Sequence, residues 1–175
     1  LASASTLMGA LANWVSPYED HEKAVAAALG ERLQYLLVSD TNVALACIRY
    51  LKKEDLGRTG FASIPTEAPV PQEALPTQPG VIGYLADKVG AQAEYQLLFD
   101  SLLSSYILIE NLDTLASIDR SKLPSQSILV TLDGEIYEST GCIIGGVENS
   151  SSLGMLQRRR QLKVLEDELE DMEIS

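Results

Sequence analysis

Apolar and polar positions alternate along this chain with two periods, in a fixed order that occurs twice. Short continuous apolar runs, YLLVSD at 35–40 and YILIEN at 106–111, suit strands covered on both faces. A segment of helical period precedes each run. In HEKAVAAALG (21–30), Ala24, Val25, Ala28 and Leu29 share one face, and in EYQLLFDSLLSS (94–105), Leu97, Leu98, Phe99 and Leu102 form a stripe. After each run comes DTNVALACIRYLKK (40–53) or LDTLASI (112–118), with an Asp/Thr pair able to cap a helix. Ahead of each unit stands a matching octapeptide, MGALANWV at 8–15 and IGYLADKV at 82–89, with Gly, Leu, Ala and Val at one constant offset. The pattern predicts an α/β fold with mixed sheets, built from two similar subdomains.

The two units end differently. GRTGFASIP (57–65) reads as a strand stopped by Pro65. SILVTLDGEIYESTGCIIGG (127–146) alternates at Ile128, Val130 and Leu132, and Asp133-Gly134 supplies hairpin-turn chemistry. It continues through GEIY to a last strand at Cys142–Ile144 that runs into Gly145-Gly146. Between the units, residues 65–80 hold five of the seven prolines, so this stretch can be neither helix nor central strand. From Leu153 the period becomes heptad-like, with Met155, Leu162, Leu165, Leu169 and Met172 on one seam. The expected organisation is subdomain I over 1–64, a Pro-rich linker over 65–80, subdomain II over 81–149 and an outgoing coiled-coil helix over 150–175.

Charge and composition narrow the picture. The 175 residues carry a net charge of −12, and six of the acids crowd into Glu166–Glu173. An acidic domain repels nucleic acid on average, so DNA contact needs a local basic patch. Arg158, Arg159, Arg160 and Lys163 form the one dense cluster, with a looser one at Arg49, Lys52, Lys53 and Arg58. Cys47 lies in the apolar run VALACIRYL and reads as a buried free thiol; with Cys142 far away, a reducing cytoplasm fits. No apolar run approaches the ~18 residues of a membrane span, and no signal peptide opens the chain. The start at Leu1 and the end inside a helical pattern look like a piece of something longer.

Catalytic chemistry finds no footing. There is one histidine, His21, beside Asp20 and Glu22, which reads as a solvated residue near a helix start. Neither G-x-x-x-x-G-K-[ST] nor G-x-G-x-x-G occurs, so no phosphate cradle is encoded. The reading is of a non-enzyme with no cofactor and no metal site.

The ordered segments resemble the hinge domain of structural maintenance of chromosomes (SMC) proteins. They are Gly9-Ala10-Leu11-Ala12-Asn13, Ala28-Leu29-Gly30, Leu36-Leu37-Val38 with Asp40, Tyr50-Leu51-Lys52, Gly57-Arg58 with Phe61, and Gly83 with Ala86-Asp87. Val130-Thr131-Leu132-Asp133-Gly134-Glu135, Gly141 and Gly145-Gly146 complete the set, and the exit helix is similar to bacterial members. Cys142 stands where the family usually carries a second glycine, and Asn13 replaces its usual aspartate.

The resemblance implies a homodimerising module that pairs two coiled-coil arms and acts in chromosome condensation and segregation in the cytoplasm, at the nucleoid. The ATPase heads of the parent, and the surfaces that bind its other subunits, would lie outside this chain. It implies two equivalent contacts per dimer. Each joins an edge strand with Arg58, Thr59, Gly60, Phe61, Ala62 and Ile64 to one with Gly141, Cys142, Ile143, Ile144, Gly145 and Gly146. Arg158–Arg160 and Lys163 would add weak, sequence-independent DNA contact. The competing reading is a small-ligand-binding α/β regulatory module on a coiled coil, with Gly9 and Gly83 in ligand-binding turns. An enzyme built on His21 is the third.

Overall fold

A computed structural model describes residues 7–147 and 151–174. The first half runs β1 (Leu7–Ala10), β2 (Val15–Pro17), α1 (Glu22–Leu29), β3 (Leu36–Val38), α2 (Thr41–Lys53) and β4 (Phe61–Ser63). The second repeats this order as β5 (Val81–Tyr84), β6 (Val89–Ala91), α3 (Ala93–Leu103), β7 (Tyr106–Ile109), α4 (Leu112–Ser117) and β8 (Ile128–Thr131). It then adds β9 (Ile136–Tyr137) and β10 (Ile143–Ile144), and α5 (Ser151–Ile174) follows. The fold is α/β with mixed sheets, as the pattern predicts.

One sheet has the order β1-β3-β4 and the other β10-β9-β8-β7-β5. In each, the strand pair that brackets a helix is parallel, β3 with β4 and β7 with β8, and the octapeptide strand joins antiparallel. A two-stranded ribbon ties the halves together: β2 meets β6 antiparallel, with Val15 opposite Ala91, Ser16 opposite Gly90 and Pro17 opposite Val89. Ser16 and Gly90 are equivalent positions of the repeat. The ribbon is therefore centred on an approximate two-fold axis between the halves.

Local chemistry explains the element ends. Asp40 accepts from the Val43 N–H at 3.1 Å and starts α2. The start of α4 departs from the sequence reading, which favours the Asp113-Thr114 pair. Its cap is Asn111, which accepts from the Thr114 N–H at 3.0 Å. Asn111 and Asp40 are equivalent positions after the apolar runs, so the repeat locates the cap better than the residue type does. Gly9 and Gly83 sit at register breaks in β1 and β5 with φ of 83° and 146°. Each serves a strand irregularity, conformations that side-chain-bearing residues rarely adopt.

The main core is shared. Leu11, Val15, Val25, Leu29 and Leu37 pack in one buried cluster with Leu85, Phe99, Leu103, Leu108 and Val130, and with Leu153 and Leu156 of α5. Alternation along β7 sends Leu108 to this core and Ile107 and Ile109 to the opposite face, where they meet Leu129 in a second cluster. That second face is covered by Leu115 of α4 and by Leu75, Ile118 and Leu123 from irregular segments. Residues 65–78 have no regular secondary structure, and they are strapped to the second half. The Tyr84 hydroxyl donates to the Glu73 carbonyl at 2.6 Å and the Gln72 amide to the Ser104 carbonyl at 2.9 Å. No helix of the described residues is long and apolar enough to cross a membrane.

Two free sheet edges and the root of the last helix

Both strands singled out by the sequence lie at sheet edges. β4 pairs only with β3, and β10 only with β9. Leu36 stands opposite Phe61 and donates its N–H to the Gly60 carbonyl at 3.0 Å. A parallel ladder of this register uses the backbone groups of residues 60 and 62, which leaves those of Phe61 and Ser63 facing outward. On β10, Glu138 donates to the Cys142 carbonyl at 2.9 Å, so the alternation leaves Ile143 and Gly145 facing outward. The side chains there are uncovered, Ile143 at 61% and Ile144 at 55% exposure. Short exposed edges with unpaired donors and acceptors are templates for strand addition.

The glycines divide by role. Gly141 and Gly146 have φ of 97° and 125°, so their turns demand glycine. Gly145 lacks that demand; a Cβ there would come 3.1 Å from the flexible Glu135 side chain. A Cβ on Gly60 would collide with the ring of Tyr35, so its missing side chain makes room for a residue of its own chain. Arg58 and Thr59 are exposed ahead of β4, whereas Ala62 and Ile64 lean on the main core.

What the sequence misses is the neighbour of β4. Helix α2 is amphipathic, yet not one of its 13 residues is buried. Leu45, Ile48 and Tyr50 are exposed, and Leu7, Leu36, Cys47, Tyr50, Leu51 and Phe61 line an open cleft of about 590 Å³. Cys47 is thus half-buried in a cleft wall, not the buried core thiol that its apolar run suggests. The signal available in the sequence is the length of the run VALACIRYL, which carries apolar residues on more of the helix than one core face needs.

The basic cluster sits at the root of α5, where its members have different work. Arg160 pairs with Glu22, whose side chain is 5% exposed, and lies 3.8 Å from Glu19. The hydrogen bond to Glu22, and then its charge, raise the Arg160 pKa further above its ordinary value. Arg159 donates to the Asn13 carbonyl at 3.2 Å. These two side chains dock the helix on α1 and on the turn after β1. Arg158 and Lys163 are exposed. His21 is half-buried in the turn before α1, edge-on to Tyr18, with Nδ1 lacking a hydrogen-bond partner. The sequence reading makes it solvated, whereas the structure places it half-buried. Among the described residues no group of three or more His, Cys, Asp or Glu is placed to hold a metal ion.

Comparison with known proteins fits this geometry. The family model described as the SMC proteins flexible hinge domain matches residues 4–117. The chain is 35% identical over 166 residues to the chromosome partition protein Smc of Fusobacterium nucleatum, covering 94% of this chain and 14% of that protein. It is 31% identical over 134 residues to the Smc of the archaeon Methanocaldococcus jannaschii, covering 76% of this chain and 11% of that one. Among solved structures, an asymmetric dimer of the Geobacillus stearothermophilus SMC hinge domain superposes with a TM-score of 0.79 at 26% identity, over 96% of this chain and 69% of that one. The Pyrococcus furiosus Smc hinge domain with an extended coiled coil superposes at 0.66 with 24% identity, over 99% and 64%, a likeness of fold. The repeated unit, the free edges and these matches converge: the chain belongs to the flexible hinge domain family of SMC proteins, of the bacterial and archaeal kind.

Proposed function

We propose that this domain joins two copies of its parent chain by homodimerisation, through two equivalent contacts between β4 of one copy and β10 of the other. The observation that carries the reading is the pair of complementary edges, with outward backbone groups at Phe61 and Ser63 on one and at Ile143 and Gly145 on the other. Because each copy offers one edge of each kind, a two-fold arrangement satisfies all four edges and closes without further growth. The role is to hold, not to catalyse, and neither cofactor nor metal is required. The arms would be the continuation of α5 and a helix preceding residue 1, the exposed Leu162, Leu165, Leu169 and Met172 forming the seam between them. The chain spans 14% of the Fusobacterium protein that it matches, so heads, other subunits and residence at the nucleoid belong to the parent.

Static light scattering at rising concentration tests the reading. The expected mass is twice 19.0 kDa and constant on dilution into the low micromolar range. A mass of 19.0 kDa at high concentration would overturn it.

A second role, weak contact with DNA, is favoured by Arg158 and Lys163, both exposed at the helix root. Arg160 contributes less, because Glu22 already neutralises it. Arg158→Ala with Lys163→Ala is expected to weaken duplex binding at low salt about tenfold and to reduce the log–log salt slope by about 2. Arg160→Ala should instead lower thermal stability and leave the slope nearly unchanged. Fluorescence anisotropy titrations at several salt concentrations read this out. Equal slopes for the wild type and the double variant would remove DNA from the account.

A further inference from the structure

We propose that the cleft between α2 and the three-stranded sheet is a socket for β10 of a second copy, with the partner's Ile143 as its principal occupant. The proposal rests on the dimer reading above and adds where the apolar side chains go.

The internal repeat shows what the cleft lacks. Leu36 and Phe61 are equivalent to Ile107 and Leu129, since each pair is matched across the parallel strands at the same register. In the second half this surface is closed by the chain itself, with Leu115, Ile118, Leu123 and Leu75 packed over it. In the first half, among the described residues, the same surface carries α2, which buries no residue and leaves about 590 Å³ open. Burying apolar surface is worth about 25 cal/mol per Å², so a persistently wet cleft of this composition is costly unless something covers it.

The strand alternation selects the occupant. At the equivalent edge of the second half, β9 lies antiparallel on β8, with Tyr137 opposite Leu129 on the α4 face. The first half has no strand of its own in that place. In an antiparallel pair, residues whose backbones face each other stand directly opposite and put their side chains on the same face. Ile143 and Gly145 face outward on β10, as Phe61 and Ser63 do on β4. An antiparallel contact therefore sets the partner's Ile143 on the side of Phe61, which belongs both to the edge and to the cleft wall. The partner's Ile144 falls on the opposite face, beside Ala62 and Ile64. Ile143 is 61% exposed and stands opposite Tyr137 across the strands.

The native thiol of Cys47 provides the test. In a Cys142→Ser background, Ile143→Cys places a thiol at the proposed occupant, and Cys47 already lines the socket. Mild oxidation or a short bismaleimide is expected to give a covalent dimer on a non-reducing gel, and Cys47→Ser should abolish it. Light scattering on the same variants separates the two layers of the argument. A non-covalent dimer with no Cys47-dependent cross-link overturns the socket and leaves the edge contact standing; a monomeric Cys142→Ser protein with Ile143 intact overturns both. The second readout needs no geometry for cross-linking. With Cys142→Ser alone, Cys47 should react with a maleimide at least about tenfold more slowly in the dimer than in a monomeric edge variant. Equal rates would overturn the socket.

Discussion

Ser63→Pro is expected to convert the dimer to a monomer at micromolar concentration while each copy stays folded. The outward N–H of Ser63 is one of the few donors that β4 offers, and its ladder with β3 runs through residues 60 and 62. Proline therefore removes a donor that the fold of one copy does not use, and puts its ring into the gap that the partner strand must enter. On the scale of the ~3 kcal/mol that proline costs where it deletes a backbone hydrogen bond and clashes, two equivalent contacts lose about 6 kcal/mol. That is on the order of a ten-thousandfold rise in Kd. Sedimentation equilibrium would show the change, with circular dichroism confirming native secondary structure. A Ser63→Pro protein that remains dimeric would mean that β4 is not the contact strand. The neighbouring Ala62→Pro is the informative contrast, because its N–H serves β3 and its loss should harm folding itself.

The repeat is what makes the fold legible from sequence. Because MGALANWV and IGYLADKV match at one offset, and YLLVSD and YILIEN follow helical segments in both units, order and type of element can be read off together. The edges are legible too, since Pro65 limits one strand and glycines bracket the other. Less accessible is what a residue does beyond its own segment. Arg160 belongs to a basic run in sequence but faces Glu22 across helices, and Glu22 is buried because of α5 packing that no local pattern records. Leu153 and Leu156 fall off the heptad seam yet are buried, and Met155, read as a seam residue, also packs against the core, since the first turns of the helix serve the core. Cys47 misleads for the same reason. Its apolar neighbours imply cover, and among the described residues it lines an open cleft instead.

The second large effect is expected at that helix root. Leu156 is 2% exposed against the main core, and Leu156→Ala should cost about 2–5 kcal/mol, the usual range for emptying a buried leucine site. Leu165→Ala, on the same helix at 55% exposure, should cost less than about 0.5 kcal/mol in this isolated domain. The difference follows from how α5 is held. Its attachments are concentrated in the first turns, where Leu153 and Leu156 pack, the Ser152 hydroxyl donates to the Gly30 carbonyl at 2.9 Å, and Arg159 and Arg160 reach Asn13 and Glu22. Farther along the helix Leu162, Leu165 and Leu169 are exposed. Emptying the Leu156 site should loosen the root locally as well as lower global stability. Hydrogen exchange over 151–160 should accelerate more than exchange in β7, while urea unfolding gives the total cost. If both leucine variants lose the same stability, α5 is not anchored at its root.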